Sequence, residues 1–371
     1  MTTAPDRRRI AVVGAGIVGA AIALSLAETG AQVTVLECVA PAAGATGKSF
    51  AWLNADVADP AYRSLRLRSM ALWRELDALL GLSINWRGRL AWTDRPDEAE
   101  RLRRRVELRN GQADDARMLS TAELGELSPG LQPGPVAAAF FASGEGHLEP
   151  HRVTRRLLDR ARQRGAAILF PCKVLWLALR HGRLDRLVTS RGAIEADLVV
   201  IAAGTAAPAL LAPLGYELPL RPSPGLLAHS QPIAPVSGLV HTGPGGLELR
   251  QTADGCLVGT DGGTPPGGGA MPELPDERAR EALGQGILAT LAGRIKGADA
   301  ARFDRLTVGM RPMPDDGMPV VGAVPDVEGV YLAVTHSGIT LAPVLGQLIA
   351  RDVLAGTAAD QLQPYRPSRF G

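Results

Sequence analysis

The chain is poor in cysteine. Its 371 residues include Cys38, Cys172 and Cys256 only, far apart and with no C-x-x-C pair. A disulfide framework, a structural zinc site or any other metal centre is therefore not expected, and a reducing cytoplasm fits. Lysine is equally rare (Lys48, Lys173, Lys296), so nearly all positive charge is arginine, a usage bias rather than a site. The net charge of +2 gives no field that would attract nucleic acid or an anionic membrane. The N-terminus lacks an uninterrupted apolar signal core. The one long apolar stretch, 330–354, is broken by His336, Ser337, Gly338, Pro343, Arg351 and Asp352, and reads as a buried strand, turn and helix rather than a membrane span. There are no internal repeats. What remains is ordinary globular composition, 46% hydrophobic and 21% charged, with a length that suggests two or three domains.

The strongest positive signal is Arg9-Ile10-Ala11-Val12-Val13-Gly14-Ala15-Gly16-Ile17-Val18-Gly19, closed by Val33-Thr34-Val35-Leu36-Glu37. An apolar strand enters G-x-G-x-x-G, a small-residue helix follows, and a second strand ends on an acid. Gly14 permits the tight turn, Gly16 lets backbone approach a pyrophosphate, and Gly19 lets helix and strand lie close. The helix N-terminus offers N–H groups and its positive dipole end to phosphate. Glu37, eighteen positions past Gly19, is placed to accept from ribose hydroxyls. The unit predicts adenine-dinucleotide binding; the plain alternative is a glycine-tolerant strand and helix that bind nothing.

Further along, apolar spacing predicts a helix over 60–80, two short strands around a glycine turn over 84–93, and a charged, solvated helix over 95–111. Pro150 opens an amphipathic helix to Gly165. Strands follow at 166–170 and 173–177, a hairpin at 184–196, and a fully apolar strand at 197–204 that ends in Ala202-Ala203-Gly204. From Pro208 to Pro275 frequent Pro and Gly between short apolar runs predict antiparallel strands, with a surface loop at 262–269 and then a helix over 276–291. The chain returns to strand, turn and helix at 330–355, with Pro343 expected in the first turn of that helix.

The fingerprint alone does not separate NAD from FAD. Two segments do. Ala42-Ala43-Gly44-Ala45-Thr46-Gly47-Lys48-Ser49 lets a loop pass close to a bulky planar group, and the chain then leaves the sheet instead of continuing to a third strand. Thr335-His336-Ser337-Gly338 precedes Ile339-Thr340-Leu341, a turn that aims a second helix N-terminus toward a domain interface, where its dipole would stabilise an anionic reduced flavin. Together with Gly146-His147-Leu148-Glu149-Pro150-His151, these segments resemble the FAD-dependent D-amino-acid oxidase, glycine oxidase and sarcosine oxidase superfamily, nearest its glycine-oxidase and amino-acid dehydrogenase branches. The likeness is strong over 10–53, 146–204 and 305–355 and weak over 85–145 and 215–300.

The resemblance implies an α/β fold: a Rossmann-like, glutathione-reductase-type FAD-binding domain formed by 1–84, 146–215 and 305–371, with an inserted antiparallel-sheet substrate domain from 85–145 and 216–304. It implies a non-covalent FAD held by Gly14, Gly16, Ile17, Val18, Gly19, Glu37, Cys38, Ala45, Thr46, Gly47, Lys48, Ser49, Val174, Ala203, Gly204, Arg311, Ser337, Gly338, Ile339 and Thr340. Non-covalent attachment follows because no cysteine occurs after Cys256 and no histidine occurs near 40–50. It implies oxidation beside the nitrogen of a small-molecule amine or amino acid such as glycine, a small D-amino acid or an N-substituted glycine. O2 is the expected electron acceptor, giving H2O2.

Arg311 is the expected carboxylate ligand, since a guanidinium fork suits a planar carboxylate. A pairing with Asp315 or Asp316 is the alternative. His336, for which hydrogen bonding within its own turn is the alternative, and, ranked lower, Arg250 complete the catalytic candidates. The chain departs from the pattern in having Thr205-Ala206-Ala207 where many relatives carry a tryptophan, Cys38 where a basic residue often follows the ribose acid, and no evident oxygen-activating lysine. Three rivals stay open: a dehydrogenase passing electrons to a quinone or partner subunit, an FAD monooxygenase or halogenase (whose W-x-W-x-I-P pattern is missing), and a non-catalytic flavin-binding subunit. A homo-oligomer also stays open.

Overall fold

The computed structural model describes residues 8–110, 116–221, 223–262, 276–355 and 359–370. Two large sheets organise them. The first has six strands in the order Val320–Ala323, Val330–Val334, Leu198–Ile201, Arg9–Val13, Gln32–Leu36 and Ala167–Leu169. All neighbours run parallel except the first pair, which is antiparallel.

The two-residue period of its strands sorts their side chains into two cores. Ile10 and Val12 face the helices Ile17–Glu28, Pro150–Gln163 and Gly338–Ala355. Ala11 and Val13 face a three-stranded antiparallel sheet (Val174–Arg180, Arg183–Thr189, Gly192–Glu195) and pack with Leu177, Leu184 and Leu187. Burial on both faces explains why the parallel strands read as unbroken apolar runs. The last two strands of the small sheet are the expected hairpin.

The second sheet has eight strands in the order Phe303–Met310, Pro224–Ser230, Leu257–Thr260, Leu247–Gln251, Val240–Gly243, Arg89–Thr93, Ala138–Ala142 and Ala116–Leu119. Its pairs are antiparallel except Val240–Gly243 with Arg89–Thr93. The helix Glu277–Ala292 covers it through Ile287, Leu288 and Leu291. The strand Phe303–Met310 belongs to this sheet, although 305–371 was assigned to the nucleotide-binding segments from sequence.

Helix ends follow local chemistry. The helix Pro60–Leu80 starts with the Asp59 side chain accepting from Tyr62 N (2.7 Å), has Pro60 in its first turn, and stops at Gly81, φ +59°. Asp276 caps the helix Glu277–Ala292 by accepting from Ala279 N (2.8 Å). Only one of the two strands expected over 84–93 forms. Asn85 instead makes a single bridge with His147, each backbone N–H donating to the other's carbonyl at 2.9 Å. The loop expected at 262–269 lies, apart from Gly262, outside the described residues. Among the described residues no helix is long and apolar enough to cross a membrane.

Candidate active site

A cavity of about 920 Å³ lies between the two large sheets. The ends of the parallel strands reach it at Val13, Leu36, Ala202 and Val334, the place where open parallel sheets bind ligands. The volume is near the top of the range for small-molecule sites, roughly 300–1,000 Å³.

The glycine turn forms one wall. Gly14 has φ +105°, and a Cβ there would lie 2.5 Å from Ala202 O. A Cβ on Gly19 would lie 2.0 Å from Gly14 O, so Gly19 serves packing and is not in the cavity wall. Gly16 is the N-cap of Ile17–Glu28 and has no side chain of its own to cap that helix. Gly16, Ile17 and Val18 therefore turn the helix start into the cavity. This is the cradle that a pyrophosphate requires, and a side chain at Gly16 would fill it. Glu37 also lines the cavity; its Oε2 accepts from Ala15 N and its Oε1 from Val39 N, both at 2.9 Å. Cys38 is exposed beside it and its thiol donates to Glu37 Oε1 (3.3 Å). Burial and then the neighbouring carboxylate push the Cys38 thiol pKa up.

Ala45, Thr46, Lys48 and Ser49 line the cavity, with Thr46 Oγ1 accepting from Ile17 N (3.1 Å). Gly47 does not line it: a Cβ there would lie 2.4 Å from both Ala42 O and His151 Nε2, so Gly47 serves the tight loop. Val174, Ala203 and Gly204 are in the wall.

At the opposite end Ser337, Gly338, Ile339 and Thr340 open the helix Gly338–Ala355 into the cavity. Pro343 lies inside that helix, beyond the first turn where sequence put it. Proline at this position deprives the Ile339 carbonyl of its i+4 donor. The buried Trp73 indole supplies it, donating from Nε1 to Ile339 O (2.9 Å) and Thr340 O (3.2 Å), while Ser69 Oγ donates to Thr340 O (2.6 Å). Helix Pro60–Leu80 thus holds the second helix N-terminus in place.

His336 lines the cavity, with Ser337 Oγ 3.2 Å from its Nδ1. Burial first, then Arg66, Arg311 and Arg221, bring its pKa down to about 4, so the imidazole is neutral near pH 7. Arg66 was missed from sequence. It is buried, donates from Nη2 to Ser337 Oγ (3.2 Å), and its Nε has no hydrogen-bond partner among the described residues. Its only signal was its place on the buried stripe of Tyr62, Ser69, Met70 and Trp73.

Arg311 reaches the cavity. Its Nε donates to Ser223 O (3.3 Å) and its Nη2 to Pro224 O (3.1 Å), which fixes the guanidinium plane. Among the described residues no carboxylate pairs with it, and Asp316 is bound instead by Arg369 (2.7 Å). The Nη1 side of the fork remains available. Glu248, also missed, shares the wall; burial pushes its pKa up against the pull of Arg89 and Arg311.

Arg250 does not reach the cavity. Its guanidinium donates to Phe50 O (2.6 Å), His147 Nδ1 (3.2 Å) and Glu149 Oε1 (2.9 Å), so it is a strut and its expected place among the catalytic residues is corrected. A second strut holds Trp52, another wall residue: its Nε1 donates to the fully buried Glu145 (2.8 Å), which also pairs with Arg109. The Arg89 guanidinium stacks over the Trp52 ring at 4.5 Å and pairs with Asp56 (2.6 Å).

Comparison with known proteins agrees with this geometry. The chain is 28% identical to the glycine oxidase of Pseudomonas aeruginosa over 94% of its own length and 95% of that protein. It is 25% identical to the mitochondrial dimethylglycine dehydrogenase of Homo sapiens over 99% of its length, which spans 45% of that longer protein. The solved glycine oxidase of Geobacillus kaustophilus superposes with a TM-score of 0.86 at 25% identity, covering 98% of this chain and 99% of that one. The family model described as FAD dependent oxidoreductase, DAO, matches residues 9–351. The chain therefore belongs to the DAO family of FAD-dependent oxidoreductases and is an enzyme acting on amino acids or amines.

Proposed function

We propose that the protein oxidises the carbon beside the nitrogen of a small amino acid: glycine, a small D-amino acid or an N-substituted glycine. The observation that carries this reading is Arg311, anchored on two backbone carbonyls with one side of its fork unpaired in the cavity wall. That side can take a carboxylate in two parallel charge-assisted bonds. FAD, when bound, supplies the two-electron acceptor for a hydride from that carbon. The imine so formed hydrolyses to an oxo acid, glyoxylate in the case of glycine, and an amine.

The residues of the chain supply position and field. With FAD bound, Gly16 and the start of Ile17–Glu28 would hold the pyrophosphate, and Glu37 would hold the ribose. Arg66 and the N-terminus of Gly338–Ala355 direct positive potential at one edge of the cavity, suited to charge that develops there during reduction. His336, neutral near pH 7, adds no cation against the substrate amine. FAD attachment is non-covalent, and the segments around the six-stranded sheet form the FAD-binding domain. O2 accepts the electrons and becomes H2O2. The name of the human relative, dimethylglycine dehydrogenase, supports a second reading in which another acceptor takes them.

The deciding experiment screens glycine, sarcosine, D-alanine and N-alkylglycines with purified holoenzyme, following anaerobic bleaching of the flavin, then oxygen uptake and peroxide. Bleaching with peroxide release supports the oxidase. Bleaching without oxygen uptake, but with dye reduction, supports the dehydrogenase. No bleaching by any carboxylate-bearing amine overturns the proposal.

A further inference from the structure

We propose that Glu248 selects a substrate bearing a second cationic nitrogen, an ammonium or guanidinium, tethered to the amino-acid unit whose carboxylate Arg311 holds. This rests on the reading of Arg311 given above and extends it to the far part of the substrate.

Glu248 sits on the strand Leu247–Gln251, between Leu247 and Leu249, which enter the apolar core of the eight-stranded sheet. Alternation along the strand gives Glu248 the opposite face, and it lines the cavity. Among the described residues its carboxylate has no hydrogen-bond or ion-pair partner. Arg311 acts on it only through space, without a hydrogen bond or ion pair, and the other basic groups nearby are committed elsewhere. Arg250, two positions on, is paired with Glu149 (2.9 Å). Arg89 is paired with Asp56 (2.6 Å) and donates from Nε to Thr242 Oγ1 (2.8 Å), and Thr242 is the cross-strand neighbour of Glu248. Thr260, opposite on the other side, brings no charge.

The carboxylate is thus kept in a partly dry wall with nothing of the protein to satisfy it. A half-buried carboxylate facing the cavity without a hydrogen-bond donor from the protein is open to a donor from the ligand. Arg311 follows the strand Phe303–Met310, three strands away in the sheet order, and its long side chain brings the guanidinium near enough to act on the Glu248 carboxylate across the cavity wall. The wall between is built partly of Gly225, Leu227 and Thr260, with Gly246 at its edge, so little bulk stands between the two charges. A cation at one end and an anion at the other match a ligand with the reverse polarity along its length.

The test uses holoenzyme and two acids of equal size, N-(2-aminoethyl)glycine and N-propylglycine. The expected result is kcat/KM higher by about tenfold or more for the cationic acid, as one charge-assisted bond requires. In Glu248→Gln that ratio falls toward one. A wild-type ratio near or below one overturns the proposal without any variant, and an undiminished ratio in Glu248→Gln overturns it as well. Binding of 6-aminohexanoate and hexanoate, followed by the shift of flavin absorbance, keeps the two readings separate. These acids lack an α-amine. If no amino acid is oxidised, the proposed reaction fails, while tighter binding of 6-aminohexanoate that Glu248→Gln abolishes still supports the cation site.

Discussion

Replacing Trp73 by phenylalanine tests whether helix Pro60–Leu80 holds the N-terminus of Gly338–Ala355. Trp73 is 0% exposed, and its indole N–H serves the carbonyl that Pro343 leaves without a donor. Phenylalanine keeps most of the packing and removes the donor. The orphaned Ile339 carbonyl costs about 1–3 kcal/mol. The smaller ring adds about 1 kcal/mol of cavity cost. Thr340 O keeps Ser69 as its donor, so no further loss is expected there. The expected destabilisation is therefore about 2–4 kcal/mol, read from urea midpoints with the slope unchanged.

Pro343→Ala supplies the control, because an alanine N–H at 343 can bond Ile339 O itself. In that background Trp73→Phe should cost about 1 kcal/mol less, a coupling that a double-mutant cycle measures. FAD should also dissociate more readily from Trp73→Phe, since the loosened helix start lines the cavity. A cost below about 1 kcal/mol, or additivity of the two changes within about 0.3 kcal/mol, refutes the reasoning.

Three other outcomes follow from the same geometry. Arg311→Ala should lower kcat/KM for a carboxylate substrate by about 10- to 150-fold, a lost charge-assisted pair of roughly 1.5–3 kcal/mol; unchanged steady-state kinetics would remove Arg311 from the site. Gly16→Val should abolish FAD retention, read as loss of yellow colour after gel filtration, because the side chain fills the phosphate cradle. Stability should fall in acid. Burial lowers His147 to about 3, with Arg250 adding to it, and lowers His241 to about 4. Between the unfolded value of about 6.5 and these folded values the unfolded state binds more protons, so stability is lost as pH falls through that window. At pH 5 each histidine costs about 2 kcal/mol relative to pH 7.5. Urea midpoints that agree at pH 7.5 and 5 would contradict the burial of both rings.

The parts of the site read from sequence are those where backbone geometry dictates residue type. Gly14, Gly16 and Gly19 were legible because a positive φ, an open helix start and a close helix crossing each exclude a side chain. The loop at 44–49 and the turn at 335–338 were legible because small and polar residues broke apolar runs. That Phe303–Met310 joins the eight-stranded sheet was not legible, because periodicity reports burial and not pairing partners. Arg66 and Glu248 were missed for a related reason. A lone charged residue on a helix stripe or at an alternate strand position looks like solvent-facing polarity until the fold brings another sheet against it. Pro343 was misplaced because the donor that makes a mid-helix proline tolerable, Trp73, lies 270 positions away in the chain.

With basic residues almost all arginine, residue type cannot separate structural from functional cations; only the identity of each partner can. Arg89, Arg109, Arg250 and Arg366 are paired with Asp56, Glu145, Glu149 and Asp352 respectively. Each pair ties two different elements, and removing one member would strand a largely buried charge. Arg66 and Arg311 differ. Both line the cavity, and both rest on neutral oxygens: Ser337 Oγ for Arg66, the Ser223 and Pro224 carbonyls for Arg311. Neutral acceptors orient a guanidinium without the close ion pair that would cancel its charge, so a positive field remains directed at whatever enters, reduced by the more distant Glu248 for Arg311 and by Asp56 and Glu145 for Arg66. Glu248 is the same arrangement with opposite sign. A cavity whose scaffold charges are neutralised in close pairs, and whose remaining charges are oriented but lack a direct partner, is one prepared for a ligand that carries the missing partners.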